Sequence, residues 1–156
     1  MAAPIALVFL PAASVGCDDK VGVDPLAKDR AALDRIVTAD LELDRALKRA
    51  DDLSAKGDDA AAADALEKRA LPRATAALAE ARAATTTSAW ANDRRAEWLA
   101  IAADRAHEIP RYAAALRGDD VSEKLAALEA QAAIQRRAMS AAASVKAGPD
   151  GGAGAR

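Results

Sequence analysis

The amino-acid sequence predicts an all-α fold, an antiparallel bundle of about four long helices. Alanine accounts for 47 of the 156 residues, and from residue 24 onward strong helix formers dominate, with no strand-like alternation. The larger apolar side chains recur at intervals of three, four and seven residues, the period of one helix face. Short breaks near Gly57, at residues 85–88 and at Gly118 separate helices of similar length, which fold most readily as an up-down bundle.

The first helix is predicted to begin at Asp24 and Pro25. A carboxylate at the N-cap accepts hydrogen bonds from the first turn. Proline at the first helical position costs no hydrogen bond, because an N–H at this position has no partner within the helix. The helix should end near Lys56 and Gly57, because glycine adopts the left-handed conformation of a C-cap. Its predicted inner face consists of Leu26, Leu33, Ile36, Val37, Leu43 and Leu47.

The second helix is predicted to follow Asp58 and Asp59 and to extend toward Ala84. Pro72 lies inside this helix and should kink it, because proline cannot donate a backbone hydrogen bond. The Thr-Thr-Thr-Ser run at residues 85–88 lowers helix propensity and offers several N-caps, so we interpret it as a turn. A helix that continued through this run would give the alternative fold of three helices, the middle one long and kinked.

Two further helices complete the predicted bundle, which spans residues 25–146. The third helix is interrupted by Pro110 and stops at Gly118, and the fourth begins with Asp120 and Glu123, an Asp version of a capping box. The Gly-rich segment 147–156 has nothing to bury and is predicted to be disordered. The larger apolar residues of the third helix are Trp90, Trp98, Ile101, Ile109, Tyr112 and Leu116. The inner face of the fourth helix is predicted to contain Leu125, Leu128, Ala132, Met139 and Ala142.

Composition and charge argue against several classes of function. The formal net charge is -2, from 22 basic and 24 acidic side chains, so we expect no nucleic-acid partner. One histidine and one cysteine cannot build most metal cages or nucleophile–base pairs. The sequence also contains no nucleophile elbow and no phosphate-binding glycine loop between a strand and a helix. We therefore expect neither an enzyme nor a cofactor.

The first 17 residues contain no charged side chain and differ in this respect from the rest of the chain. Residues 5–10 are apolar, and small residues follow up to Cys17. A bilayer span needs about 20 apolar residues, whereas this run is shorter and contains Pro4 and Pro11. Such a run is typical of an export signal, so residues 1–16 are predicted to be a signal peptide.

The segment Ser14-Val15-Gly16-Cys17 resembles the lipobox of bacterial lipoproteins, in which small residues precede a cysteine that is lipidated and becomes the new N-terminus. The resemblance implies lipid on Cys17, a short tether over residues 17–24, and a place in the cell envelope. Acyl chains contribute about 0.8 kcal/mol per buried methylene, enough for two or three chains to hold the protein at a membrane. The alternative is that Cys17 is an ordinary thiol of a cytosolic protein.

Aromatic and basic side chains concentrate in the third helix. The candidate interaction face consists of Trp90, Arg94, Trp98, Arg105 and Tyr112. One interpretation is a docking surface, because Trp, Tyr and Arg dominate interface hot spots. The other is that the aromatic side chains fill the widest part of a core otherwise made of Ala and Leu. Only the burial of these side chains separates the two.

Three polar residues, Asp40, Asp104 and His107, are of types that bind metal ions. Asp104 and His107 lie three apart, a spacing that lets a carboxylate and an imidazole bind one metal ion. A helical-bundle di-iron site needs a second histidine, which the chain lacks, so we predict no metal site. Asp40 occupies an inward position of the first helix and is expected to pair with Arg or Lys from a neighbouring helix.

These observations favour a membrane-anchored envelope lipoprotein of structural or adaptor type. Lipid on Cys17 would hold the bundle at the inner or outer membrane, facing the periplasm, where it would contact an envelope protein partner. The alternative function is a small-ligand or metal-binding bundle in the same compartment, with its site near Asp104, His107 and Tyr112.

Overall fold

The computed structural model describes residues 24–152, and this part of the chain is helical without strands. The helices form four rods, because α2 continues through a π-helical turn into α3. The predicted all-α bundle of about four helices is therefore confirmed, and the three-helix alternative is wrong. The elements are α1 (Pro25–Ser54), α2 (Asp59–Ala65), the π-helical turn (Leu66–Ala70), α3 (Leu71–Ala83), α4 (Ala89–Arg117), α5 (Val121–Ala147) and a 3-10 helix (Pro149–Gly152).

Contacts between side chains fix the directions of the rods. α1 and α4 run the same way, because Asp29 accepts a hydrogen bond from Ser88 at one end and Asp51 accepts one from Tyr112 near the other. The α2–α3 rod runs opposite to α4, because Arg117 at the end of α4 pairs with Glu67. These directions are those of an up-down bundle.

α5 runs opposite to α1 and returns the chain to the end where α1 begins. Gln135 in the middle of α5 donates to Asp44 in the middle of α1, over 2.9 Å. At the C-terminal end of α5, Gly148 lies against the guanidinium group of Arg30. The start of α1 and the end of α5 are therefore neighbours.

The helix boundaries follow the predicted capping signals. Each of the four rods begins after a residue whose side chain accepts a backbone hydrogen bond from its first turn, namely Asp24, Asp58, Ser88 and Asp120. After α1, Gly57 has φ +82, and the Asp58 N–H donates to the carbonyl of Leu53, as in a Schellman motif. The run at 85–88 is a turn, as predicted.

The two internal prolines have different effects. Leu66–Ala70 forms a π-helical turn that ends two residues before Pro72, so the predicted irregularity lies in the turn before the proline. A wider turn accommodates the missing N–H of proline. Pro110 was expected to interrupt the third helix, but α4 continues through it to Arg117.

The core consists of two apolar clusters with small side chains between larger ones. The cluster nearer the Gly57 turn contains Leu43, Leu66, Ile109 and Tyr112 with many alanines. The cluster nearer the start of α1 contains Leu33, Ile36, Trp98, Ile101 and Ile134, among others. Alanine at the contacts lets helices approach closely.

The predicted inner face of the fourth helix is wrong in its larger residues. Leu125, Leu128 and Met139 are exposed. The buried positions of α5 are instead Ile134, Ala138, Ala141 and Val145, so residues 121–133 contribute no buried side chain to the bundle. In the first half of α5, Ala127 packs partly buried against the cluster nearer the Gly57 turn, and Lys124 pairs with Asp59.

Several predictions fall on residues that the structure does not describe. The signal peptide at 1–16, Cys17, nearly all of the 17–24 tether and residues 153–156 of the predicted tail lie outside the described range. Within the tail, residues 149–152 form the 3-10 helix. None of the helices in residues 24–152 combines the length and apolarity needed to cross a membrane.

Candidate functional site

A polar layer centred on Arg105 lies between the two apolar clusters. Arg105 projects from α4 and is completely buried. Its Nε lies 2.8 Å from Oδ1 of Asp40, and its Nη2 lies 2.7 Å from Oδ1 of Asp44, both on α1. Nη2 also donates to Oε1 of Gln135 on α5, over 2.8 Å. One guanidinium group thus connects three helices.

The two aspartates of this layer have different surroundings. Asp40 is buried, and its burial raises its pKa above the usual 3.8, an effect that the charge of Arg105 opposes. Asp44 is only half-buried, and its second oxygen accepts a hydrogen bond from Gln135. The predicted pairing of Asp40 with a basic residue of a neighbouring helix is confirmed.

A cavity of about 430 Å³ opens beside this layer, between α1, α4 and α5. We call it the Arg105 cavity; its lining combines polar groups of Arg105, Gln131 and Gln135 with apolar side chains of Leu47 and Leu128. Within the described residues, Nη1 of Arg105 and both amide atoms of Gln131 are buried and have no hydrogen-bond partner. Such groups are rare in native proteins, where buried polar atoms are nearly always paired.

Tyr112 and Asp51 form the far side of the cavity. Tyr112 is buried, and its hydroxyl donates a 3.1 Å hydrogen bond to Oδ1 of Asp51. Burial and the neighbouring carboxylate both raise the pKa of Tyr112, so it remains a neutral phenol at physiological pH. Tyr112 therefore presents a fixed hydroxyl oxygen and an apolar ring.

The structure separates the residues of the candidate interaction face. Trp98, Arg105 and Tyr112 are buried, and Trp90 and Arg94 are half-buried. The interpretation of this set as a docking surface is therefore wrong for its three buried members. Trp98 and Tyr112 fill the core, as the second interpretation proposed, and Arg105 forms the polar layer.

The residues considered for a metal site do not converge. The side chain of His107 is 71% exposed and its Nδ1 lies 2.9 Å from Oε1 of Glu108, while Asp104 pairs with Arg137. Tyr112 lies with the Arg105 cavity instead. Among residues 24–152, no group of three or more His, Cys, Asp or Glu side chains is arranged to hold a metal ion.

Sequence reasoning missed both the Arg105 cavity and an exposed apolar surface on α5. Gln131 and Gln135 are four residues apart and share one helix face, which was a signal for a polar site. Comparison with known proteins finds no matching family model, curated protein or solved structure.

Proposed function

We propose that this chain is a lipid-anchored protein of the bacterial cell envelope with a structural or adaptor role. In this proposal, lipid on Cys17 holds the bundle at the inner or outer membrane on its periplasmic side. The bundle then binds a helix of an envelope protein through α5. The uncharged first 17 residues and the lipobox-like sequence before Cys17 support the anchor.

The observation that carries the adaptor role is an apolar stripe left open on α5. We call the exposed residues Val121, Leu125, Leu128, Ala132 and Met139 the α5 stripe. Four of them are large, with exposed fractions of 66%, 56%, 41% and 65% for Val121, Leu125, Leu128 and Met139. Their spacing repeats the four-three pattern with which one helix packs against another. Contiguous exposed apolar surface of this kind marks interaction sites.

The charges along α5 define the chemistry of the partner helix. The N-terminal end has a net negative charge, from Asp119, Asp120, Glu123 and Glu129 against Lys124, which pairs with Asp59. The C-terminal half carries Arg136, Arg137 and Lys146. A complementary partner is an amphipathic helix with an apolar face that is basic at one end and acidic at the other.

An antiparallel second copy has the same charge complementarity but fits the anchor less well. Because α5 contains 27 residues, it is about 40 Å long, and an antiparallel pair would separate the two anchor ends by this distance. The tether over residues 17–24 reaches about 25 Å when fully extended. An antiparallel pair could therefore insert both lipids only by lying along the membrane, so for a bundle that stands on the membrane a different protein is the better occupant.

The anchor is tested by metabolic labelling with a fatty acid in the bacterial host. We expect the label to appear on the wild-type chain and to disappear in Cys17→Ala. A Ser14→Ala variant serves as control and should keep the label, because alanine is also a small residue. Label on Cys17→Ala, or a free thiol at Cys17 in a full-length chain, would overturn the anchor.

The adaptor role is tested by placing a photo-crosslinking residue at position 125 and, as control, at the exposed position 73 of α3. We expect one discrete adduct in the native envelope from position 125 only. Val121→Glu should abolish this adduct without changing the thermal unfolding midpoint, because Val121 is exposed. An adduct of twice the chain mass would identify a second copy and contradict the proposal, as would an adduct that persists in Val121→Glu.

A second candidate function, small-ligand binding in the same compartment, is favoured by the Arg105 cavity. The cavity combines apolar walls with a few convergent polar groups, the usual composition of a ligand site. Tyr112 lines this cavity, whereas Asp104 and His107 do not.

A further inference from the structure

We propose that the Arg105 cavity binds a small neutral ligand that carries an amide group and an aliphatic part. This inference rests on the second candidate function and not on the adaptor role. The cavity shares Leu128 and Ala132 with the α5 stripe, but its hydrogen-bonding groups, Arg105 and Gln131, are not part of the stripe. Three features of the cavity define the ligand: polar atoms without hydrogen-bond partners, the charges of the lining side chains, and the apolar walls.

The partnerless atoms define the hydrogen bonds that a ligand would make. Nη2 of Arg105 is occupied by Asp40, Asp44 and Gln135, whereas Nη1 is buried without a partner. Gln131 contributes one unpaired donor and one unpaired acceptor. A ligand carbonyl can accept from Nη1, and an amide N–H and C=O together complement the amide of Gln131.

The charge of the lining disfavours an ionic ligand. Two carboxylates, Asp44 and Asp51, line the cavity together with two cations, Arg105 and Lys48, and Asp40 pairs with Arg105 from outside the lining. An anion would therefore lose its hydration without gaining a site of net positive charge, while a cation would meet the unpaired donors of Arg105. A neutral hydrogen-bond acceptor pairs with Nη1 of Arg105 and avoids both the energetic cost of an anion and that of a cation.

The apolar walls define the rest of the ligand. Leu47 from α1 and Leu128 and Ala132 from α5 supply apolar side chains to the lining. A volume of about 430 Å³ accommodates a blocked amino acid or a short peptide segment.

The ligand class is tested with three probes that share one aliphatic side chain and differ in charge. N-acetyl-leucinamide is neutral, N-acetyl-leucine is anionic and leucinamide is cationic at pH 7. In NMR titrations of the full chain, we expect the neutral probe to shift the signals of the Gln131 amide and of Arg105 Nε–H saturably. Its affinity should exceed that of either charged probe at least about tenfold. No saturable shift, or tighter binding of a charged probe, would overturn the proposal.

Variants locate the binding to the cavity. Gln131→Leu removes the unpaired amide and should weaken the neutral probe at least about tenfold, because only the apolar contacts remain. Its unfolding midpoint should not fall, since no hydrogen bond of the fold is lost. Leu128→Ala should also weaken binding, whereas Leu125→Ala, exposed one turn earlier, should not. Unchanged binding in Gln131→Leu would contradict the assignment.

Discussion

At the scale of single residues, Asp29 shows how one buried carboxylate organises a turn. Its two oxygens accept hydrogen bonds of 2.8 Å each from the backbone N–H groups of Thr87 and Ser88. The hydroxyl of Thr87 donates a further bond. Asp29 thus connects α1 to the turn between α3 and α4. Hydrogen bonding by Ser88 and Thr87 lowers the pKa of Asp29, although burial opposes this effect.

This lowered pKa predicts a pH-dependent contribution to stability. The stabilisation by ionised Asp29 is fully present above its ordinary pKa of 3.8 and is lost as the pH falls through the lower folded-state pKa. Asp29→Asn should therefore lower the thermal unfolding midpoint at pH 7. The difference from wild type should shrink as the pH falls below 3.8, in a circular dichroism series.

Asp34→Asn is a matched control, because Asp34 is an exposed carboxylate on the same helix. It should leave the unfolding midpoint nearly unchanged at every pH. A difference between Asp29→Asn and wild type that is constant across the series would contradict the role of ionised Asp29.

The residue types in the sequence predicted some of the polar interactions of the bundle but not others. The turn at 85–88 and the basic partner of Asp40 followed from propensity and helix position. The burial of Arg105 did not, because arginine is rarely buried completely unless it is paired. Its pairing needs Asp44 and Gln135 from two other helices, and one sequence does not show which helices are adjacent.

At the scale of the helix, the orientation of α5 illustrates why an alanine-rich sequence is ambiguous. The α5 stripe contains the larger apolar side chains, and its spacing predicted the inner face. The buried face, which includes Ile134 and Val145, is rotated from it by roughly 140° around the helix axis. Close contact through Ala138 and Ala141, together with the hydrogen bonds of Gln135, orients the helix. The sizes of the side chains along one helix do not show which of its faces makes these contacts with other helices.

The end of α5 provides a test of backbone conformation. Gly148 has φ +76, and a Cβ at this position would lie 2.8 Å from Nη2 of Arg30. Gly148→Ala should therefore reduce the free energy of unfolding by about 1–3 kcal/mol, measured by urea denaturation.

The matched control for this prediction is Gly118→Ala. Gly118 follows α4 with φ -80, and the nearest atom to a Cβ there would be at an ordinary 3.5 Å. This substitution should change the free energy of unfolding by less than about 0.5 kcal/mol. Equal losses in the two variants would contradict the conformational argument.

At the scale of the whole molecule, the polar layer joins the two apolar clusters. Arg105→Met should destabilise the bundle by about 3–5 kcal/mol, because it leaves the buried carboxylate of Asp40 without its cation. This loss is a large part of the total stability of a domain of this size. Adding Asp40→Leu should restore part of it, since the stranded charge is then removed. Urea denaturation of the single and double variants measures both effects.

Arg111→Met is the control for charge removal on the same helix. Arg111 is exposed and pairs with Glu108, so its loss should change the free energy of unfolding by less than about 1 kcal/mol. If Arg105→Met reduced the free energy of unfolding as little as Arg111→Met does, the polar layer would not have the proposed role. The same would follow if adding Asp40→Leu to Arg105→Met gave no gain in the free energy of unfolding.

The contact between Arg30 and Gly148 has a consequence for rearranging the chain. Because α1 begins where α5 ends, a short linker from residue 152 to residue 24 would allow circular permutation of the bundle. The new termini could be opened at Gly57, where the turn is exposed and a Cβ would meet nothing within 4 Å. Every helix would then retain its neighbours although the connectivity differs.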